Sequence, residues 1–278
     1  SSPEGARDFL VPSRLNPGKF FALPQAPQQF KQMIMVAGFD KYFQIAPCFR
    51  DEDGRADRSP GEHYQLDLEM SFVEQDDVFS TVEPIFFDLF TKFNKGKKIS
   101  KAPFKRITFK ESMLKYGSDK PDLRIPIEIS DVTDIFKSSE VKLEICKKQI
   151  EKNSIVRAIP VKNVKDKPRS FLDNLNEWAK SEGADGLAYI SLVKSKESFK
   201  AFGPIGKYFS EKALNELMKK CNITDGDSLF FICDKQKVAE KISGLSREKI
   251  ARELKLIDEN VFEFCWITDF PLYRYDED

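Results

Sequence analysis

Histidine is almost missing from this chain: among 278 residues only His63 carries an imidazole. A zinc site built on several histidines, or a relay of imidazole bases, is therefore excluded, and a Ser/His/Asp triad would have to rest on that one residue. Paired cysteines are lacking too. The five present (Cys48, Cys146, Cys221, Cys233, Cys265) are odd in number, widely spaced and without a Cys-x-x-Cys pair. That argues against a disulfide framework or a structural zinc and fits a reducing cytosol. No apolar run approaches the ~18 residues of a membrane-spanning helix, and the opening SSPEGARDF reads as neither signal nor transit peptide. An excess of one charge is also absent, with 45 basic against 45 acidic side chains, so the basic signature of a surface that grips nucleic acid is not there. What remains is a cytoplasmic globular protein, not membrane-bound, whose 41% apolar residues can bury a core in one large or two modest domains.

Along the chain, residues 1–24 read as irregular and extended, punctuated by Pro3, Gly5, Pro12, Pro17, Gly18 and Pro24. Pro27 suits a first helical turn, and Phe30, Met33, Ile34 and Ala37 follow at helical spacing until Gly38. Residues 42–50 suggest a strand and 51–62 a polar loop. Over 64–73 the residues alternate: Tyr64, Leu66, Leu68, Met70 and Phe72 share one face, while Gln65, Asp67, Glu69 and Ser71 share the other. Two strands around a charged loop imply an antiparallel hairpin. A helix then follows with Pro84 expected to kink it or break its first turns. The Lys-rich stretch 94–106 reads as a solvated loop, and Thr108-x-x-Glu111 as a capping box before a short helix closed by Gly117. Farther on, helices near 170–182, 210–221 and 235–254 alternate with strands at 187–193 and 230–233, a compact α+β unit. Residues 261–270 turn β-like again, and the ending Asp276-Glu277-Asp278 reads as cut, not completed.

Three features could carry chemistry. The polar face of 64–73 is most simply a solvent-exposed row. Arg50 and Glu52 share a parity at the end of the preceding strand, and a guanidinium beside carboxylates there is either a structural ion pair or an anion site whose planar fork matches phosphate or carboxylate oxygens. Gln28 and Lys31, three apart, share a helix face, and a lysine so placed is either a surface residue or a carboxylate binder.

Taken together, PEGARDFLVPSR (3–14), FFALPQAPQQFKQMIMVAGFDKYFQIAPCFRDEDGRADR (20–58) and YQLDLEMSFV (64–73) resemble the bacterial type of aspartyl-tRNA synthetase, a group of class II aminoacyl-tRNA synthetases. FRDED looks like the family's motif 2, and the likeness continues through YGSDKPDLR (116–124). Gly183-Ala184-Asp185 with GLAYI looks like the GAD insertion domain named for those residues, and WITDFPLY (266–273) like the return to the catalytic domain. The fold implied is α+β: an incomplete class II antiparallel-sheet catalytic domain over 1–124, a GAD-like insertion over 125–240, and a return to the catalytic domain over 241–278.

The resemblance implies an ATP-dependent aspartate–tRNA ligase. Aspartate attacks the α-phosphate of ATP to form aspartyl-adenylate, and the aspartyl group passes to tRNA(Asp), in some members also to tRNA(Asn). Arg50 would be the catalytic arginine, touching the α-phosphate and the aspartate carboxylate. Asp51 and Glu52 would join it at the ATP site. Glu4, Gln28, Gln29, Phe30, Lys31, Gln65 and Asp67 would bind aspartate with Arg50, Lys31 facing the substrate's side-chain carboxylate. Mg2+ bound to ATP is implied, with its ligands expected mostly outside this stretch and no metal site assigned within it. A homodimer and a cytoplasmic location follow from the same likeness. Ala26 replaces a serine common in the family, Ser59-Pro60-Gly61-Glu62-His63 lengthens the motif 2 loop, and the glycine-rich motif 3 is missing. The other reading is a non-catalytic synthetase-like paralogue that binds tRNA or an amino acid.

Overall fold

The computed structural model describes residues 7–51, 61–164, 167–195 and 198–273. Two compact units, Ser1–Ile85 and Phe86–Asp278, make up the chain.

In the first unit the extended N-terminal stretch is more ordered than its proline content suggests. Strands β1 (Leu10–Pro12) and β2 (Phe20–Ala22) pair antiparallel, turning at Gly18, whose φ of 77° suits glycine. Helix α1 (Gln28–Val36) starts right after Pro27. Strands β3 (Lys41–Phe49) and β4 (Glu62–Met70) form the expected antiparallel hairpin, in a register that sets Ala46 opposite Gln65 and Gln44 opposite Asp67. Helix α2 (Gln75–Phe93) carries the chain out of this unit and runs unbroken through Pro84, correcting the expected break.

The second unit begins with β5 (Lys98–Ile99), β6 (Lys105–Thr108) and α3 (Phe109–Tyr116). The Lys-rich stretch 94–106 is largely exposed, as expected of a solvated loop, but two short strand segments interrupt it. Phe104 and Ile107 bury themselves, and Phe104 stacks on Phe264, whose edge meets Phe90; apolar anchoring overrides the lysines. Thr108 caps α3 by accepting from the Glu111 N–H at 3.1 Å, and Gly117 ends it with φ 66°, as the capping box implied.

Next come β7 (Ser130–Asp131), α4 (Thr133–Lys137), α5 (Glu144–Glu151), β8 (Ile155–Val161), α6 (Arg169–Ser181), β9 (Ala188–Ser195), β10 (Ser198–Phe202), α7 (Glu211–Cys221), β11 (Ser228–Asp234) and α8 (Gln236–Glu253). Their strands form one antiparallel sheet in the order β10-β9-β11-β8-β7. Both faces are covered. Ile159, Tyr189, Phe230 and Ile232 pack with α6 and α8, while Val156, Ile190, Leu229 and Phe231 pack with α4, α5 and α7. Alternate residues of each central strand therefore feed two separate cores, which is why β11 is apolar almost throughout. The short strands β12 (Val261–Phe262) and β13 (Cys265–Thr268) then pair parallel with β5 and β6. Among the described residues no helix is long and apolar enough to cross a membrane.

Two contacts tie α8 to the segment entering the sheet. Arg247 is fully buried and donates to the carbonyls of Ile127 (2.7 Å), Asp122 (2.8 Å) and Ile125 (3.1 Å), with Tyr116's ring below its guanidinium. One turn away, Gly117 and Gly244 approach so closely that a Cβ on Gly244 would lie 2.6 Å from the Gly117 carbonyl oxygen. Alanine normally stabilises a mid-helix position by about 1 kcal/mol over glycine. Here Gly244→Ala is expected to destabilise by about 1–3 kcal/mol through overpacking, read as a lower urea midpoint; a raised midpoint would refute the close contact.

Candidate active site

The polar face of β4 does not face solvent. Asp67 is 6% exposed, and Cys48, on the same face of β3, is wholly buried. The opposite, apolar face is the exposed one, with Phe43 at 70%, Ile45 at 65% and Tyr64 at 74%. The expected solvent-exposed row of polar side chains is therefore corrected: alternation separates two faces but does not say which of them is covered.

Helix α1 makes the covered polar face possible by placing Lys31 over it. The Lys31 ammonium lies 3.0 Å from Asp67 Oδ1 and 2.8 Å from Glu69 Oε1. The hydrogen bond to Glu69 and then that to Asp67 raise the Lys31 pKa above its ordinary 10.5, against the opposing effect of burial. Gln65 links this pair to Arg50. Its Nε2 donates to Asp67 Oδ1 at 3.4 Å, and its Oε1 accepts from Arg50 Nη2 at 3.4 Å. Arg50 continues the parity of β3 one residue beyond the strand, so its side chain falls on this same face. Its backbone is pinned by a 2.7 Å bond to the Gly61 carbonyl, and its Nε donates to the Gln25 carbonyl at 3.4 Å. Both side-chain bonds are long; the fork is aimed without being locked.

One atom in this cluster is unsatisfied. Asp67 Oδ2 is buried with no hydrogen-bond partner among the described residues. Leaving a buried carboxylate oxygen unpaired costs about 1–3 kcal/mol or more, so a donor from outside the described residues would be favoured there.

Of the residues singled out from the sequence, Lys31, Arg50, Gln65 and Asp67 come together. Gln28, Gln29 and Phe30 are exposed on α1, and the exposed Asp51 is tied by its backbone to Arg7, whose carbonyl accepts the Asp51 N–H at 2.9 Å. Glu4 and Glu52 lie outside the described residues. Glu69 completes the ion cluster without having been a candidate, although the alternation of β4 already put it on the right face. Nothing in the sequence marked the Gln25 carbonyl as a partner for Arg50.

Comparison with known proteins identifies the family. The family model for class II tRNA synthetases (D, K and N) matches residues 1–276, and the chain belongs to that family. It is 63% identical over 277 residues to the aspartate–tRNA(Asp/Asn) ligase of Pelagibacter ubique, and 60% identical over 278 residues to that of Rickettsia bellii. Each alignment covers 100% of this chain but only 46% and 45% of the respective relative, so the chain spans a little under half of their length. The resemblance read from FRDED, YQLDLE and their neighbours is borne out. A solved Entamoeba histolytica asparaginyl-tRNA synthetase with asparaginyl-adenylate overlaps 90% of this chain and 58% of that one, at 16% identity and a TM-score of 0.32, a likeness too loose to add to the assignment.

The ion cluster has a pH signature. A lysine pKa raised by folding contributes stability that is complete below 10.5, the unfolded value, and is lost as pH rises through the higher folded value. Lys31→Met is expected to cost about 1–3 kcal/mol near neutral pH, since Asp67 and Glu69 lose their cation. It should also remove part of the loss of stability expected above pH 10.5. Urea midpoints across that range check this, and equal alkaline loss in both proteins would disprove it.

Proposed function

We propose that this chain supplies the amino-acid-activating part of an aspartate–tRNA ligase. The observation that carries the proposal is the geometry around Asp67: one carboxylate oxygen is held by Lys31 and the other is buried without a partner among the described residues, on the face that also holds Arg50. In this reading Asp67 Oδ2 accepts the substrate's ammonium group. The substrate's side-chain carboxylate goes to Lys31, displacing Glu69, the less buried of its two partners. An amide in place of that carboxylate would leave the ammonium without its anion, which is the physical basis for rejecting asparagine.

Arg50 then acts on the reaction itself. The substrate α-carboxylate and the α-phosphate of ATP are both anionic, and the guanidinium lowers their repulsion as the carboxylate oxygen attacks phosphorus and pyrophosphate departs. Positioning and charge neutralisation suffice, so no histidine base is required. Among the described residues there is no group of three or more His, Cys, Asp and Glu able to hold a metal ion. The ligands of the magnesium that accompanies ATP are expected mostly outside this stretch, and none of the roles assigned here depends on them. Glu4, Gln28, Gln29, Phe30, Asp51 and Glu52 are kept as contacts to aspartate or ATP on the family resemblance.

The names of the relatives couple tRNA(Asp) and tRNA(Asn), which supports aspartylation of both. Residues 125–240 are read as the GAD-like insertion and the flanking segments as catalytic domain, in a cytoplasmic homodimer. The test is aspartate-dependent ATP–pyrophosphate exchange by the full-length protein. Arg50→Ala is expected to lower it by about 10²–10³-fold while ATP still binds weakly, and this chain alone to show little. A full-length protein that binds aspartate or tRNA without exchange would instead be a binding paralogue, and the proposal would fail.

A further inference from the structure

Two of the five cysteines meet inside the second unit. Cys146 stands on α5 and Cys233 on β11, and the Cys233 Sγ lies 3.9 Å from the Cys146 carbonyl oxygen. The two thiols are also hydrogen-bonded to each other. Both line a cavity of about 320 Å³ with apolar walls that include Phe136, Leu187 and Phe231. Gln149 and Asp185 also line it, joined by a 3.3 Å hydrogen bond and exposed to solvent, so the cavity has a wet side. The remaining cysteines differ. Cys48 is wholly buried, and burial pushes the Cys221 thiol up to about 11 and raises that of Cys265.

The pair is electrostatically unequal. The hydrogen bond from Cys233 draws the Cys146 thiol below its ordinary value. The same bond, then burial, then the charges of Asp234 and Asp185 push Cys233 upward. Both cysteines are half-buried, and a sulfur that ionises first beside a second held as thiol has the asymmetry that thiol–disulfide exchange exploits.

We propose that Cys146 and Cys233 form a redox modification site, converted to an intramolecular disulfide by a low-molecular-weight disulfide such as glutathione disulfide. The Cys146 thiolate attacks one sulfur of that disulfide, forming a mixed disulfide and expelling one thiolate. The expelled thiolate takes the proton of Cys233, whose sulfur then attacks the Cys146 sulfur. The second small thiolate leaves and is protonated by water. Two protein thiols are oxidised and one small disulfide is reduced to two thiols. The new bond ties α5 to β11 across the cavity and is undone by dithiothreitol.

The test is incubation of the native chain with glutathione disulfide, alkylation, digestion and peptide mass spectrometry. A linked Cys146–Cys233 peptide two hydrogens lighter than the free pair is expected, with Cys48 and Cys221 still alkylated after unfolding. Cys233→Ser should stop at a glutathione adduct on Cys146, and Cys146→Ser should slow adduct formation by roughly tenfold. Absence of the linked peptide from the wild-type chain overturns the proposal. So do adducts on Cys265 that form as fast as those on Cys146, or an unchanged rate in Cys146→Ser. Iodoacetamide labelling of the wild type is an independent check. Cys146 should react with a midpoint below the ordinary 9.0 of a thiol, and a midpoint above it counts against the assignment.

Discussion

A buried carboxylate is tolerated only where a cation meets it, and the first unit is arranged around such a meeting. Lys31 reaches from α1 to Asp67 and Glu69, and this lets β4 turn its Gln-Asp-Glu face away from water. With that face covered, Gln65 is held where it can bridge Asp67 and Arg50. The cations and anions of the cluster, Lys31 and Arg50 against Asp67 and Glu69, balance one another. In the proposed reading, an incoming anion would exchange with a resident one, which limits the desolvation cost of an empty site.

Much of the fold could be read directly. Helix α1 followed from Pro27 and a 3.6-residue spacing, β4 from strict alternation, and α3 from a capping box whose bond is present. The elements that escaped share physical causes. Strand β8 contains Pro160 and a buried Arg157, which interrupt the apolar run by which a central strand is recognised. Helix α5 is largely charged, with only Ile150 fully buried. Strands β5 and β6 lie in or beside a lysine-rich stretch that a single buried aromatic, Phe104, anchors. In the site, the types and parity of Lys31, Arg50, Gln65 and Asp67 were visible, but the direction of the covered face was not. It depends on a helix packing from outside the strand, and no local pattern encodes that.

The second unit follows a different rule. An antiparallel sheet often leaves one face to water, yet here helices cover both, so its central strands read as nearly continuous apolar runs. Its attachment is correspondingly specific. Arg247 satisfies three backbone carbonyls on the connecting segment, groups that would otherwise be buried without donors. The glycine-to-glycine approach of α3 and α8 leaves no slack for a side chain between them.

The outer face of the β3–β4 hairpin, with Phe43, Ile45, Tyr64 and Leu66 exposed, has a colloidal consequence. A sticky apolar strip is normally offset by long-range repulsion between like-charged molecules, but a chain with 45 positive and 45 negative side chains has almost none near neutral pH. Crowded copies of this molecule thus meet with attraction at short range and nothing to hold them apart at long range. Moving the pH away from neutrality is accordingly the gentler route to a concentrated solution, because it restores net charge without touching the strip itself.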